Sequence, residues 1–302
     1  MSDRSDSKPD VIALLGIGEA AGAFLEGWDR GGCRRIGAFD VKSDNPGTRG
    51  WVEERCARLG VADCPSPARA LRDARLVVSL VTADQALQAA TAAAPHLPAG
   101  ALYIDGNSCG PGTKREAARR VEAAGGRYVD MAIMAPVYPK RHLTPVLLAG
   151  PHAEAASRAL GRLGMRPGLA GDQVGQASTI KMVRSVMVKG IEALTVECML
   201  AARRAGVADA VLASLEASDP DIDWRARAGR SLERMTVHGR RRAAEMREVA
   251  GTVAQLGIPD RMSRAAAEWQ QAVGDLGLDG GGEDRVEGRA DRILAALDAA
   301  RQ

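Results

Sequence analysis

Short apolar runs alternate with segments of helical periodicity through the first half of the chain. The runs have the length of buried strands and lie at residues 11–15, 35–39, 75–81, 101–104 and 127–130, with shorter candidates near 61 and at 165–169. Apolar residues recur at helical spacing between them, at residues 23–28, 51–59, 86–94, 111–124 and 153–163. Strands that alternate with helices of about ten residues predict an α/β fold with a doubly wound parallel sheet.

The second half has a different pattern, in which only helical periodicity remains. A helix is predicted over residues 178–202, and further helices near 207–215, 224–249, 262–273 and 289–300. The long helix carries a stripe of apolar residues with helical spacing: Ile180, Val183, Met187, Ile191, Leu194 and Cys198. The second half is therefore predicted to be an all-helical domain.

A glycine motif, Gly16-x-Gly18-x-x-Ala21, follows the first strand and opens the first helix. Gly16 permits a tight turn, Gly18 lets the backbone approach a pyrophosphate, and Ala21 lets the helix pack close to the strand. The second strand ends in Asp40, where a carboxylate accepts hydrogen bonds from ribose hydroxyls. These features predict a Rossmann-type dinucleotide site, with the cofactor bound by Gly16, Ile17, Gly18, Glu19, Ala20, Ala21 and Asp40.

We therefore predict three regions in the chain. Residues 1–10 are polar and form a disordered tail. Residues 11–172 form the dinucleotide-binding Rossmann domain, and residues 173–302 form an all-helical C-terminal domain that closes over the substrate and dimerises. A largely helical half rich in alanine and methionine would expose apolar faces unless they are paired, so a homodimer is expected.

Composition narrows the function classes. The chain has 302 residues, 46% of them hydrophobic, and a net charge of only +3, with basic and acidic residues interspersed. This balance argues against nucleic-acid binding. The five cysteines form no CxxC pair, so we expect reduced thiols and no metal site. With no apolar run that could span a bilayer, the expected protein is cytoplasmic and makes no membrane contact.

Lys181 lies on the long helix just beyond the predicted domain junction. A lysine there could reach the cleft beside the sheet, where partial burial would suit it to general acid/base work. The alternative is a solvated surface lysine, and spacing alone leaves both interpretations open.

A series of motifs in order gives the chain a family resemblance. Beyond the glycine motif it comprises Val81-Thr82, Asp105-Gly-Asn107-Ser108-x-x-Pro111, Asp130, and Gly175-Gln176 followed by Lys181. Over most of residues 11–205 the chain resembles the β-hydroxyacid dehydrogenases, the 3-hydroxyisobutyrate dehydrogenase-like family of the 6-phosphogluconate dehydrogenase superfamily.

The resemblance implies an NAD(P)-dependent dehydrogenase or reductase acting on CH–OH groups. It would transfer a hydride between the cofactor and a small β-hydroxy acid or related alcohol or aldehyde, with Lys181 as the general acid/base. Val81, Thr82 and Asn107 would contact the nicotinamide half of the cofactor. Asn107 and Ser108 would also contact the substrate.

Two departures from the family pattern affect substrate recognition. Residues 131–137 replace the family's Ser-Gly-Gly segment, which holds a substrate carboxylate, and place Met134 there. Arg184 and Ser185 stand where the family has two asparagines. Arg184 could bind an anion in bidentate fashion, and the alternative is an exposed charge on the helix. Met134, Arg184 and Ser185 are accordingly predicted to contact the substrate, which is expected to be an anionic small molecule.

The C-terminal half lacks the family's second lysine motif and carries His238 followed by Arg240, Arg241 and Arg242 instead. This combination resembles the family's uncharacterised branch, whose C-terminal helical domain has no assigned function. His238 is a candidate substrate contact, since histidine suits acid/base work near neutral pH. The arginines are interpreted as a solvated basic turn of the helix predicted over residues 224–249.

Several alternatives remain open at this stage. Asp40 favours NAD because its charge repels a 2′-phosphate, whereas Lys42 and Arg49 could bind that phosphate and so allow NADP. The lost carboxylate segment admits an imine (C=N) reductase, because imine reductases share this architecture. A non-catalytic NAD(P)-binding sensor is the third interpretation.

Overall fold

The computed structural model describes residues 10–279 and 285–300. The contacts divide the chain into two compact units, Met1–Lys181 and Met182–Gln302. This division falls inside a long helix, whereas the sequence pattern places the domain boundary before that helix, at 172/173. The tail predicted for residues 1–10 lies outside the described residues except for Asp10.

The first unit contains a single described sheet of eight strands. In chain order they are β1 Val11–Leu15, β2 Arg35–Phe39, β3 Ala62–Asp63, β4 Leu76–Ser79, β5 Leu102–Asp105, β6 Arg127–Ile133, β7 Val146–Ala149 and β8 Gly168–Gly171. Their spatial order is β3-β2-β1-β4-β5-β6-β7-β8. All pairings are parallel except that of β6 with β7, which is antiparallel. The predicted α/β fold class is confirmed, although β7 was not among the predicted strands.

Six helices of the first unit connect these strands: α1 Glu19–Gly27, α2 Pro46–Leu59, α3 Pro67–Leu71, α4 Ala86–Ala93, α5 Pro111–Ala123 and α6 Ala153–Gly161. Their ends follow local chemistry. Asn45 caps α2 through a hydrogen bond from the Gly47 amide to its side chain (2.9 Å), and Pro46 occupies the first turn. Gly60 ends the same helix in the left-handed conformation, with φ +64°.

Alternate residues of β1 point to opposite faces of the sheet and lie in two separate cores, as expected for a sheet that is covered on both faces. Ile12 and Leu14 point into the core that also contains Phe24 of α1. Val11 and Ala13 lie in the opposite core with residues of α4 and α5. Because β1 pairs with β2 on one side and β4 on the other, the strand order reverses at the carboxyl end of β1. Ligands of doubly wound sheets bind at this position.

The second unit is helical throughout its described residues. Helix α7, Gln176–Arg204, contains the boundary between the units and is followed by α8 Ala208–Ser218, α9 Trp224–Gln255, α10 Arg261–Asp275 and α11 Val286–Ala299. Helices α9 and α10 approach closely where Gly239 faces Gly274. A Cβ on Gly239 would lie 2.5 Å from the Gln270 carbonyl oxygen, so only glycine fits at this crossing.

Candidate nucleotide and acid/base site

The glycine turn between β1 and α1 has the geometry of a pyrophosphate cradle. Gly16 has φ +87°, and a Cβ there would lie 2.5 Å from the carbonyl oxygen of Leu80. A Cβ on Gly18 would meet no described heavy atom within 4 Å, so the backbone at Gly18 faces open space. Gly18 is also the N-cap of α1 and makes no side-chain cap hydrogen bond. The first-turn N–H groups of α1 thus face a space where an anion would be stabilised.

Asp40 lies at the end of β2 and fastens that strand to the glycine turn. Its Oδ2 accepts a hydrogen bond from the Ile17 amide (3.0 Å), and its Oδ1 accepts one from the Lys42 amide (3.0 Å). A carboxylate oxygen has two lone pairs, so each retains capacity for a ribose hydroxyl. The structure therefore brings Asp40 and the glycine motif together.

Arg55 of α2 also contacts the glycine turn and was not among the sequence candidates. Its guanidinium donates hydrogen bonds to the carbonyl oxygens of Ile17 and Gly18, the latter at 2.9 Å. It also lies 5.3 Å from the ring centroid of Trp51, and Lys42 Nζ lies 4.5 Å from the same centroid. Helical periodicity gives no signal for such a contact, because it joins residues 37 positions apart.

The ends of β4 and β5 are joined by the buried side chain of Asn107. Its Oδ1 accepts a hydrogen bond from the Val81 amide (2.6 Å), and its Nδ2 donates one to Ser79 Oγ (3.0 Å). Val81 borders the glycine turn, because a Cβ on Gly16 would lie 3.0 Å from Val81 Cγ1. Neighbouring Thr82 is exposed. Asn107 thus fixes the two strand ends beside the nucleotide cradle.

Lys181 and Ser108 meet at the carboxyl end of β5. Lys181 Nζ donates a hydrogen bond to Ser108 Oγ, across 73 positions of sequence. Both residues are half-buried. An ammonium beside a hydroxyl, next to the strand end that Asn107 fixes, has the groups needed to hold and move a proton.

A fully buried ion cluster lies beneath this pair and was missed by sequence analysis. Lys114 Nζ donates hydrogen bonds to Asp105 Oδ1 (2.9 Å) and to the Asp105 carbonyl oxygen (2.6 Å), and lies 3.5 Å from Asp130 Oδ1. Tyr128 donates its hydroxyl to Asp105 Oδ2 at 2.7 Å. Burial lowers the pKa of Lys114, but attraction to Asp105 and Asp130 outweighs it, so the net shift is upward. The two carboxylates therefore favour the charged form of Lys114.

The segment that replaces the family's carboxylate-binding loop is held by contacts with neighbouring elements of the first unit. Met134 directly follows β6, and its amide donates a hydrogen bond to the Pro145 carbonyl (2.9 Å). Its side chain packs on a small cluster that includes Ala177 of α7. Beyond it, Tyr138 and Arg141 reach Glu26 of α1, with a hydroxyl-to-carboxylate distance of 3.2 Å and an Arg141 Nε–Oε2 distance of 3.3 Å. This loop is thus tied to the helix that follows the glycine turn.

The remaining predicted substrate contacts lie in the second unit. Arg184 is exposed and Ser185 is buried on α7, and His238 is exposed on α9. The basic run after His238 lies in the middle of the 32-residue α9, on the helix that the sequence pattern predicts there. Each of its arginines is ion-paired: Arg240 with Asp275, Arg241 with Glu245, and Arg242 with Glu192. Arg240 and Arg241 are exposed, in agreement with the solvated interpretation, whereas Arg242 is largely buried and departs from it.

Two features are absent from residues 10–279 and 285–300. None of their helices is long and apolar enough to cross a membrane. They also bring together no group of three histidine, cysteine or acidic side chains that could hold a metal ion.

Comparison with protein families defines the class of the first unit. Residues 35–163 match the model of the NAD binding domain of 6-phosphogluconate dehydrogenase, and residues 202–273 match a domain of unknown function, DUF1932. The first match begins at β2, so the glycine turn before it is supported by its own geometry. The chain thus contains a nicotinamide-dinucleotide-binding domain.

Solved structures identify the family. A conserved hypothetical protein from Sinorhizobium meliloti 1021 is 37% identical, with 98% of this chain and 99% of that chain covered and a TM-score of 0.78. The conserved protein MTH1747, of unknown function and described as structurally similar to 3-hydroxyacid dehydrogenases, is 31% identical over 90% of this chain and 99% of its own, with a TM-score of 0.67. The chain belongs to this 3-hydroxyisobutyrate dehydrogenase-like family, and these two relatives are described as hypothetical and of unknown function.

A characterised enzyme shares the fold at lower identity. The 3-hydroxyisobutyrate dehydrogenase of Mycobacterium tuberculosis, solved with L-serine, is 15% identical over 95% of this chain and 99% of its own, with a TM-score of 0.74. At this identity the likeness establishes the architecture and nothing about the substrate.

Proposed function

We propose that the protein is an NAD(P)-dependent oxidoreductase that transfers a hydride between the cofactor and a small β-hydroxy acid or related alcohol or aldehyde. The observation that carries the proposal is the hydrogen bond from Lys181 Nζ to Ser108 Oγ. It places an amine and a hydroxyl at the carboxyl end of β5, in a domain whose glycine turn suits a dinucleotide.

In the proposed mechanism the cofactor, when bound, accepts or supplies the hydride. Lys181 acts as the general base in oxidation and as the general acid in reduction. During oxidation its neutral amine takes the proton of the substrate hydroxyl, while the substrate carbon loses its hydrogen with both bonding electrons as hydride. During reduction its ammonium returns that proton to the carbonyl oxygen. Ser108 orients Nζ by accepting its hydrogen bond, and Asn107 holds the strand end on which Ser108 lies.

NAD is the proposed cofactor. Asp40 is held at the end of β2 by two backbone amides, and its charge opposes a 2′-phosphate. The two cations considered for NADP are otherwise engaged: Lys42 lies over Trp51, and Arg49 Nε donates to the Ser43 carbonyl (3.0 Å). We therefore expect tighter binding of NADH than of NADPH.

The test is turnover of NAD and NADP against a panel of small hydroxy acids and diols, followed through the absorbance of the reduced cofactor. For Lys181→Met we expect kcat to fall by about 10²–10⁴-fold with cofactor affinity unchanged, because only proton transfer is removed. Lys140→Met, a change at an exposed loop lysine, is the matched control and should keep wild-type rates.

Two outcomes would redirect the proposal. Full activity of Lys181→Met would exclude this lysine as the acid/base. If no alcohol or acid is turned over although the reduced cofactor binds tightly, the imine reductase or the non-catalytic sensor is favoured. The imine reductase is compatible with the loss of the family's carboxylate-binding segment around Met134. Turnover of a cyclic imine would then separate these two.

A further inference from the structure

The first turn of α7 is capped by a residue from a distant strand. Asp130 of β6 accepts hydrogen bonds at Oδ2 from the amides of Gly175 (3.2 Å) and Ser178 (2.9 Å) and from the Ser178 hydroxyl (3.0 Å). Its side chain is fully buried. Since unsatisfied N–H groups at a helix start favour a carboxylate, Asp130 fixes the beginning of α7 to the sheet. Lys181 follows Ser178 by less than one turn.

The hydroxyl partner of Lys181 is held by a second buried carboxylate. Asp105 ends β5, and its Oδ1 accepts a hydrogen bond from the Asn107 amide at 2.9 Å. That bond sets the turn from which Ser108 projects. Thus one carboxylate positions the helix that carries the amine, and the other positions the turn that carries the hydroxyl.

Lys114 connects the two carboxylates. Its Nζ lies 2.9 Å from Asp105 Oδ1 and 3.5 Å from Asp130 Oδ1, and all three side chains are fully buried. Both carboxylates share this one buried ammonium, and a buried charge is stable only beside its partner, so a movement of one carboxylate changes the position of the ammonium beside the other. The orientation of Asp130 is therefore coupled to that of Asp105.

We propose that the Asp105–Lys114–Asp130 cluster positions Lys181 Nζ against Ser108 Oγ, and that Asp130 is a positioning residue for the reaction. This inference rests on the proposed function of Lys181. The cluster touches neither substrate nor cofactor. Its contribution is to hold an amine and a hydroxyl from distant segments at hydrogen-bonding distance.

Asp130→Asn tests the proposal because asparagine preserves shape but supplies a single acceptor atom. Oδ2 of the carboxylate accepts the hydrogen bonds from α7, whereas Oδ1 accepts none and lies 3.5 Å from Lys114 Nζ. An amide must turn its NH₂ group toward either the helix amides or the ammonium, and each of these is already a donor. Either arrangement brings two donors face to face, so we expect the start of α7 to move away from the position that Asp130 gives it.

The experiment is a double-mutant cycle on kcat. In the wild-type background we expect Asp130→Asn to lower kcat by about 10²-fold, the effect of a misplacement near 1 Å, with cofactor affinity unchanged. In the Lys181→Met background the same change should cost nothing more, because the group that it positions is gone. An equal loss in both backgrounds would overturn the proposal, since a general structural defect acts whether or not Lys181 is present.

Two further variants serve as a milder test and as a control for the double-mutant cycle. Ser178→Ala removes one of the three donors to Asp130 and leaves the ion pairs intact, so it should fold and lower kcat by a smaller factor that again disappears with Lys181→Met. Asp223→Asn is the matched control, because Asp223 caps α9 through the Ala226 amide (2.8 Å) in the other unit. It should leave kcat unchanged, and a loss equal to that of Asp130→Asn would count against a specific role.

Crystal structures of the wild type and Asp130→Asn give a readout that needs no turnover. The Lys181 Nζ–Ser108 Oγ hydrogen bond should be present in the wild type and absent in the variant. A bond retained in both structures would overturn the positioning role. If the wild type shows no turnover with any substrate, the proposed function fails by itself, and this comparison still decides the role of Asp130.

Discussion

Two glycines of one turn face opposite surroundings, and this difference predicts different consequences for the same substitution. Gly16→Ala places a methyl group 2.5 Å from a backbone oxygen at a φ of +87°, so we expect the free energy of unfolding to fall by more than about 1 kcal/mol. Gly18→Ala adds its methyl group to open space and should leave stability unchanged while weakening cofactor binding, because the methyl occupies the approach of the pyrophosphate.

Chemical denaturation and calorimetric titration with NADH separate the two effects. Gly18→Ala serves as the control for Gly16→Ala in the first measurement, and the wild type is the reference for Gly18→Ala in the second. Equal affinity of Gly18→Ala and the wild type for NADH would show that the pyrophosphate does not lie over this turn.

At the residue scale, the sequence predicted what depends on local geometry. The glycine turn and Asp40 follow from spacing within one β–α–β unit, and the structure brings them together. Arg55 and Lys114 were missed because their roles depend on contacts with residues distant in sequence. Lys114 in particular occupies a helix that otherwise carries exposed charges, so nothing in its neighbours distinguishes it from a solvated lysine.

At the element scale, the buried cluster joins α5 to β5 and β6, and its removal should be costly. Lys114→Met leaves Asp105 and Asp130 buried without their cation. We expect the free energy of unfolding to fall by about 3–5 kcal/mol, the usual cost of breaking a buried ion pair from one side.

Urea denaturation measures this loss, with Lys140→Met as the exposed control. The double variant Lys114→Met with Asp130→Asn should recover part of it, since one buried charge is then also removed. If the free energy of unfolding of Lys114→Met lies within about 1 kcal/mol of the wild-type value, the two carboxylates are compensated by other groups.

The same scale shows where periodicity was insufficient. The apolar stripe predicts a helix over 178–202, since a stripe of that length does not occur in a strand. The observed helix α7 spans Gln176–Arg204. Strand β7 has only four residues and follows a loop containing Pro136, Pro139 and Pro145. A run so short is recognised only once β6 provides its antiparallel partner, Met131 opposite Leu148.

At the scale of the whole molecule, α7 carries exposed apolar side chains that a single chain leaves in water. Val183, Met187 and Leu194 are 47%, 62% and 53% exposed, and their spacings of four and seven place them on one face of the helix. A contiguous apolar face of this kind is typical of an interface. A two-fold axis would let the same face of a second copy cover it, which supports the expected homodimer.

Light scattering at micromolar concentration tests this assembly. The wild type should have the mass of a dimer, and Met187→Glu should be monomeric, because dimerisation would bury its carboxylate among apolar groups without a partner. Leu143→Glu replaces an equally exposed apolar residue, 50% accessible, on a short turn of the first unit and should remain dimeric. A monomeric wild type would leave this face of α7 uncovered and contradict the prediction. Dissociation of both variants would place the interface elsewhere, since only one of the two changes lies on α7.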